Sequence, residues 1–498
     1  MRPLGQVVAA IVPLAFILLF CGFTAATAPV LDVPVIVTAA PDYDPLAALH
    51  GAERFPRGAQ LLFVQNGNAG PLVAGFAATA DASVSFDART VLFAGKQAAT
   101  DPWQIYELTL ADRSVRKVIA NQTDAVRPLY LPGKRLVFAR RAAQGFQIVA
   151  AGLDGNNELP LTYIAASALP ADVLADGRIL FEAGFPLGSG STPELFLVYS
   201  DGSGVESYRC DHGTARWGGR QLASGDVVFT HGPSLARFTS PLANEARIAA
   251  PHADFAGGIV ETASGSWLLS ARSSPTARFA LKLWKPASVS GANALPAAFT
   301  TILARARENL VQPVLVAPRE RPRAHPSALH DWNYANLLAL DARQSRDGTL
   351  KTTPTHLRLE TMDVSGHSVS MGTSPVETDG SFFVKAPADQ PIRFTLLDAQ
   401  GAAIRQEHGW FWIRRGEQRI CVGCHVGPEH ASENNVPAVL LRSTTPLDLS
   451  GLNGTSPDKT SQNKTSPDKT SPDKTSPDKT SPDKTRTNTA RPSTQGSR

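Results

Sequence analysis

Short apolar runs, each opening on a turn signal, recur through the N-terminal half of the chain. FDARTVLF at 86–93, LPGKRLVF at 131–138, ADGRILF at 175–181 and ASGDVVF at 223–229 are close copies, and ASGSWLL at 263–269 is a looser one. In each, Gly, Asp, Ser or Pro supplies the reversal and the apolar stretch after it has the length of a buried strand. The final residues, Phe93, Phe138, Phe181, Phe229 and Leu269, are spaced by 45, 43, 48 and 40 positions. A second strand-like string follows the run in each unit, such as WQIYEL at 103–108 and FQIVA at 146–150. A period in the forties with several strands per unit predicts a β-propeller over 50–295, with five to seven blades. PRGAQLLF at 56–63 ends only 30 positions before Phe93, so it either opens a partial blade or supplies the closing strand. A pair of irregular β-sandwiches is the competing arrangement.

The pattern changes over 300–415. NLLALD at 336–341 and HLRLE at 356–360 alternate as half-buried strands, and PVETDGSFFVKAP at 375–387 reads as strand, Asp-Gly turn, strand. PIRFTLLD at 391–398 is another strand, so a small antiparallel β-sandwich is expected as a middle domain. It closes on GWFWIR at 409–414, whose aromatic rings either wall a cofactor or fill the sandwich core. A short segment, 416–450, follows, and then a tail over 453–498 built on repeats of TSPDK. The repeats contain no apolar residue, so the tail has nothing with which to bury a core and is expected to be disordered. The fold class expected is mainly β: propeller, sandwich and a short C-terminal segment.

Composition narrows the class. Hydrophobic residues make up 43% and charged residues 18%, an ordinary globular balance. The net charge of +4 is dispersed, and no basic run interleaved with aromatics points to nucleic acid. Met1-Arg2, an apolar run over 7–23 and small residues at 24–26 form a signal-peptide pattern, 1–26, with cleavage after Ala26. An uncleaved anchor is the alternative, although the run is short for a membrane span. Export to the periplasm or beyond is expected, with no membrane span in the mature chain. No hydrolase elbow, zinc-protease helix or P-loop occurs.

The chemistry concentrates in CVGCH at 421–425. Two cysteines two residues apart, followed at once by histidine, form the attachment signature of a c-type haem. Cys421 and Cys424 would form thioethers with the two vinyl groups, and His425 would reach the iron as proximal ligand. A redox Cys-x-x-Cys and half of a zinc site are the alternatives. The chain has 4 cysteines; removing the leader takes Cys21, leaving Cys210 outside the motif. Cys210, Asp211 and His212 place three donor-capable side chains together, for zinc or at a haem edge, or as a buried free thiol at a blade turn. Opposite His425, Glu429, His430, Met371 and His212 are candidate ligands.

The propeller repeats resemble those of TolB-type proteins. The order of propeller, a sandwich with PVETDGSF, then WFW and CVGCH resembles the alpha subunit of hydrazine synthase. It resembles still more the exported bacterial proteins that share that subunit's middle domain. The resemblance implies the architecture and one covalent haem. It does not imply hydrazine synthesis, because the alpha subunit carries a second haem and this chain has a single attachment motif. It also implies unusual ligation: an oxygen ligand shortly after the motif on iron, with the motif histidine turned to a zinc ion beside a propeller cysteine. Here the matching positions are Glu429, in place of tyrosine, and Cys210.

Three functions are therefore carried forward. The first is electron transfer or redox sensing, with the propeller docking a redox protein partner. The second is a haem oxidoreductase acting on a small nitrogen or oxygen compound. The third is a scaffold with a structural haem.

Overall fold

The computed structural model describes residues 31–185, 192–209, 213–241, 243–286, 298–344, 350–363, 365–422 and 435–452. The leader region and the TSPDK tail lie outside these residues, as do Cys210, His212, Cys424, His425, Glu429 and His430. Among the described residues the structure is almost wholly β, with one short helix, Ala438–Arg442. No helix among them is long and apolar enough to cross a membrane.

Six sheets of four or five strands form the blades of a propeller. The turn-initiated runs of the sequence become the second strands: Thr90–Lys96, Arg135–Ala142, Ile179–Phe185, Val227–His231 and Trp267–Arg272. Phe93, Phe138, Phe181 and Phe229 are fully buried between neighbouring sheets. Each contributes about 1.5–3 kcal/mol by leaving water, which is why the repeat ends in a large ring. Trp103–Leu108 and Phe146–Ala150 fall in the third strands, Gln104–Thr109 and Gly145–Gly152.

The ring closes through a blade drawn from both ends of the domain. Asn309–Leu315 is its innermost strand and pairs antiparallel with Val35–Ala40; Gln60–Gln65 and Asn68–Pro71 complete it. The segment 56–63 therefore supplies the third strand of the closing blade. Propeller strands extend beyond the 50–295 read from the repeats, and Thr300–Leu303 and Asn309–Leu315 belong to the propeller, not to the sandwich expected from 300. The repeat could not reveal this. The closing pair joins segments some 270 residues apart, and Val35–Ala40 is buried along its whole length with no glycine turn before it.

The sandwich has two four-stranded sheets. One runs Gln418–Cys421, Tyr334–Ala339, Phe382–Pro387, Leu447–Asp448; the other runs Ser368–Pro375, His356–Met362, Ile392–Leu397, Ala403–Gln406. Ala335, Leu337, Leu359, Val384, Ile392 and Ile413 form its fully buried centre. The aromatic segment before the motif makes only one bridge, Ile392 to Phe411, and is not a strand of either sheet. Trp412 leaves the sandwich altogether. It is fully buried in a propeller cluster with Phe181, and its ring lies 6.4 Å from Tyr163. Arg414 beside it donates to Tyr163 Oη at 2.8 Å and to the Asp201 carbonyl at 3.2 Å, and it pairs with Asp389. Counting the closing blade as the first and the others in chain order, one ring and one guanidinium thus tie the sandwich to the third and fourth blades.

Candidate functional site

Cys421 ends the edge strand Gln418–Cys421, which runs parallel to Tyr334–Ala339. Ala339 is its register partner, and Leu340 N–H donates to the Cys421 carbonyl at 2.9 Å. The thiol rests on the rim of the sandwich core, where burial raises its pKa above the ordinary range. At the other end of this strand Gly416 has φ of +75°, and a Cβ there would lie 1.9 Å from the His330 carbonyl oxygen. Glycine is needed there for the linker to pass so close.

Residues 423–434, which hold the rest of the motif, lie outside the described residues. The chain re-enters at 435 and is held by the Asp-Gly turn of the sandwich. Ala438 N–H donates to Asp379 Oδ2 at 2.7 Å and Val439 N–H to Ser381 Oγ at 3.1 Å, while Arg442 pairs with Glu377 at 3.0 Å. Partial burial works against the Asp379 carboxylate, but the N–H of Ala438 and the Ser381 groups hold its pKa below the usual value. The same turn packs against the end of the Tyr334–Ala339 strand: Ala342 N–H donates to the Gly380 carbonyl at 2.8 Å. The described chain is therefore anchored at the rim by Cys421 before residues 423–434 and at this turn after them.

Exposed apolar side chains flank residues 423–434 on both sides. The large apolar side chains exposed among the described residues are Val115, Val369, Ile420, Val422, Val436, Leu441, Leu447 and Leu452. All but the first two fall within 420–452, with Ile420 64% and Leu441 75% exposed.

Other candidates lie elsewhere. Met371 sits on Ser368–Pro375, close to Gly451, and packs on the sandwich rim. Its strand is at one edge of its sheet, beside Leu449, whereas Cys421 is on the opposite edge of the facing sheet, with Glu407 near it. The structure does not bring Met371 to Cys421. Cys210 and His212 fall outside the described residues, between the outermost strand of the fourth blade and the innermost strand of the fifth. Of the aromatic residues before the motif, Phe411 stacks edge-on against Phe394 at 5.1 Å and Trp410 carries Arg393 at 4.5 Å. With Trp412 buried against the propeller, Trp410 and Phe411 are the rings that stay partly open. No group of three or more His, Cys, Asp or Glu among the described residues has metal-ligand geometry.

A second polar centre has no counterpart in the sequence reading. At the propeller axis, Asp81, Arg127 and Gln312 occupy left-handed backbone conformations, with φ of 57°, 50° and 56°. Each sits at a bulge of an innermost strand, which turns its side chain to the axis. Asp81 accepts from Arg54 at 2.5 and 2.7 Å, from Arg127 N–H at 3.0 Å and from Gln312 Nε2 at 2.9 Å. Arg127 Nη1 donates to Glu182 Oε2 at 2.9 Å, and Glu182 Oε1 accepts Gly218 N–H at 2.7 Å. Asp81 is fully desolvated, yet Arg54 and Arg127 pull its pKa down to about 2.

Comparison with known proteins bears on the sandwich. Residues 337–426 match the hydrazine synthase alpha subunit middle domain. The matched span runs from the strand beside Cys421, through the Asp-Gly turn and the aromatic segment, past Cys424 and His425. Hydrazine Synthase of Kuenenia stuttgartiensis superposes with a TM-score of 0.70 over 83% of this chain and 72% of that chain, at 14% identity. At that identity the likeness shows the shared fold, propeller and sandwich together. TolB from Acinetobacter baumannii covers 57% of this chain and 67% of its own at 13% identity, with a TM-score of 0.40. No curated protein matches by sequence.

Proposed function

We propose that this chain is an exported c-type haem protein, with one haem held covalently by Cys421 and Cys424 against the rim of the sandwich. The carrying observation is the placement of the Cys421 thiol at a strand end beside exposed Ile420 and Val422, with exposed Val436 and Leu441 on the segment where the described chain resumes. These residues fit a flat apolar cofactor: the thiol anchors one edge, and the apolar side chains cover a face that water would otherwise wet. His425, four residues after the anchor, is the axial ligand in this reading; Glu429, His430 and His212 are candidates for the remaining position, and Cys210 for a zinc ion beside His425. When bound, the haem supplies a one-electron iron centre. Cys421 and the apolar side chains beside it would bind and shield it; electron transfer to a redox protein partner docked on the propeller is the role favoured.

A second reading, a haem enzyme on small nitrogen compounds, draws support from the middle-domain match over 337–426. The two differ in the coordination they require. Electron transfer needs two firm axial ligands, whereas an enzyme needs an open or weakly held position. Absorption and electron paramagnetic resonance spectra of the purified exported protein, with and without NO, separate them. A low-spin spectrum unmoved by NO supports electron transfer. Ready NO binding by the reduced protein overturns that role in favour of the enzyme.

A further inference from the structure

The polar centre at the propeller axis is a built site with donors to spare. Its acceptors are engaged: the Asp81 carboxylate takes four hydrogen bonds and each Glu182 oxygen takes one. Asp172, across the axis, accepts the N–H groups of Val173 at 2.9 Å and Gln221 at 2.9 Å. The donors are not engaged to the same degree. Arg127 gives one guanidinium N–H to Glu182, and no other acceptor among the described residues meets that group. Arg220 has only a loose pairing with Asp172, at 3.8 Å. Both arginines line one cavity of about 60 Å³, partly open to solvent, together with Tyr43, Trp217 and the paired glycines 257–258.

The linker between the domains adds a further cation at one mouth. After the closing strand it crosses the propeller face, where Arg319 N–H donates to the Phe86 carbonyl at 3.0 Å and Arg323 N–H to the Ala175 carbonyl at 2.9 Å. These anchors belong to the second and fourth blades, so the linker runs as a strap. The Arg319 guanidinium lies 4.5 Å over the Phe86 ring, within electrostatic reach of Asp172 and Arg220, and no acid among the described residues pairs with it. Arg54, Arg127, Arg220 and Arg319 thus face Asp81, Asp172 and Glu182, one positive charge in excess. Left-handed Asp81, Arg127 and Gln312 each cost about 1–3 kcal/mol of backbone strain, which persists where the surroundings require that geometry, most often at binding sites.

The geometry points to the propeller channel as a binding site for a small oxyanion, carboxylate or phosphate, gripped by Arg127 and Arg220 with Arg319 at the strapped mouth. Guanidinium groups match such anions with paired N–H donors, and in a cavity only partly open to water those bonds are stronger than at the surface. The site is separate from the cysteine motif and needs no haem.

The experiment is isothermal titration calorimetry of the full chain at low ionic strength, with inorganic phosphate in one arm and acetate in the other. One anion per chain should bind saturably, and the tighter of the two defines the ligand's shape. Arg220→Gln, which disturbs only a loose ion pair, should weaken binding at least tenfold, or about 1.4 kcal/mol. Arg319→Gln should weaken it less, and Arg116→Gln, on the outer rim of the second blade, should leave it unchanged. Arg127→Gln should abolish it, and its melting temperature shows whether the variant is folded. The proposal is overturned if neither anion binds the wild-type chain saturably, or if Arg220→Gln binds as the wild type does.

Discussion

Cys421 and Ala339 face each other across a parallel strand pair, and the Cys421 carbonyl accepts Leu340 N–H at 2.9 Å. The first cysteine of the motif is therefore positioned by the sandwich sheet and not by a helix of a cytochrome domain. In the proposed reading, a haem attached there would take its walls from the sandwich rim and from the returning segment at 435–442.

The return is held chiefly by Asp379, which accepts Ala438 N–H and, through Ser381, organises the first turn of the helix Ala438–Arg442. Asp379→Ala should cost about 1.5–3 kcal/mol, the range for hydrogen bonds to a charged group. Hydrogen exchange should show faster exchange at Ala438 and Val439, with the propeller amides unaffected.

Trp412 carries the contact between the domains. Trp412→Ala should destabilise the protein by about 3–5 kcal/mol, the usual cost of emptying a large buried aromatic site. Denaturant unfolding should show the loss, and limited proteolysis should cut the 316–333 linker faster than in the wild type. Trp410→Ala, with its partly open ring, should change stability far less.

Asp81 sets an acid limit on propeller stability. Its pKa is lowered to about 2 in the folded chain from 3.8, so the carboxylate stabilises the fold fully above pH 3.8 and loses that contribution as pH falls through 2. The lost amount is on the order of 2 kcal/mol. Unfolding free energies measured from pH 5 down to about pH 2 should fall in the wild type, and this component should vanish in Asp81→Asn. That variant should also be less stable near neutral pH by about 3–5 kcal/mol, because Arg54 loses its buried partner.

Much of this fold is legible in the sequence because its signals are local. The runs ending at Phe93, Phe138, Phe181 and Phe229 combine a turn with a buried strand, and the Asp-Gly turn at 379–380 marks the reversal that carries the chain from one sheet of the sandwich to the other. Pairings between distant segments leave no such trace. Val35–Ala40 meets Asn309–Leu315 only once the ring has closed, so the closing blade and the true start of the sandwich could not be read. Trp412 sits in an alternating apolar stretch whether it packs inward or against a neighbouring domain. The channel bulges at Asp81, Arg127 and Gln312 are silent for a different reason: their left-handed backbone is imposed by the ring, and these residues lack the glycine that usually announces it. At the motif, chemistry spoke before structure, since the spacing of Cys421, Cys424 and His425 is itself the signal.

The most direct test of the central claim is covalent haem. The chain should be exported from a host carrying haem-attachment machinery, then assayed by haem staining after denaturing electrophoresis and by the pyridine haemochrome spectrum. The wild type should retain haem through denaturation at one per chain, Cys421→Ala and Cys424→Ala should each lose most of it, and the double variant should retain none. A wild-type protein that is exported and folded but carries no covalent haem would contradict the account.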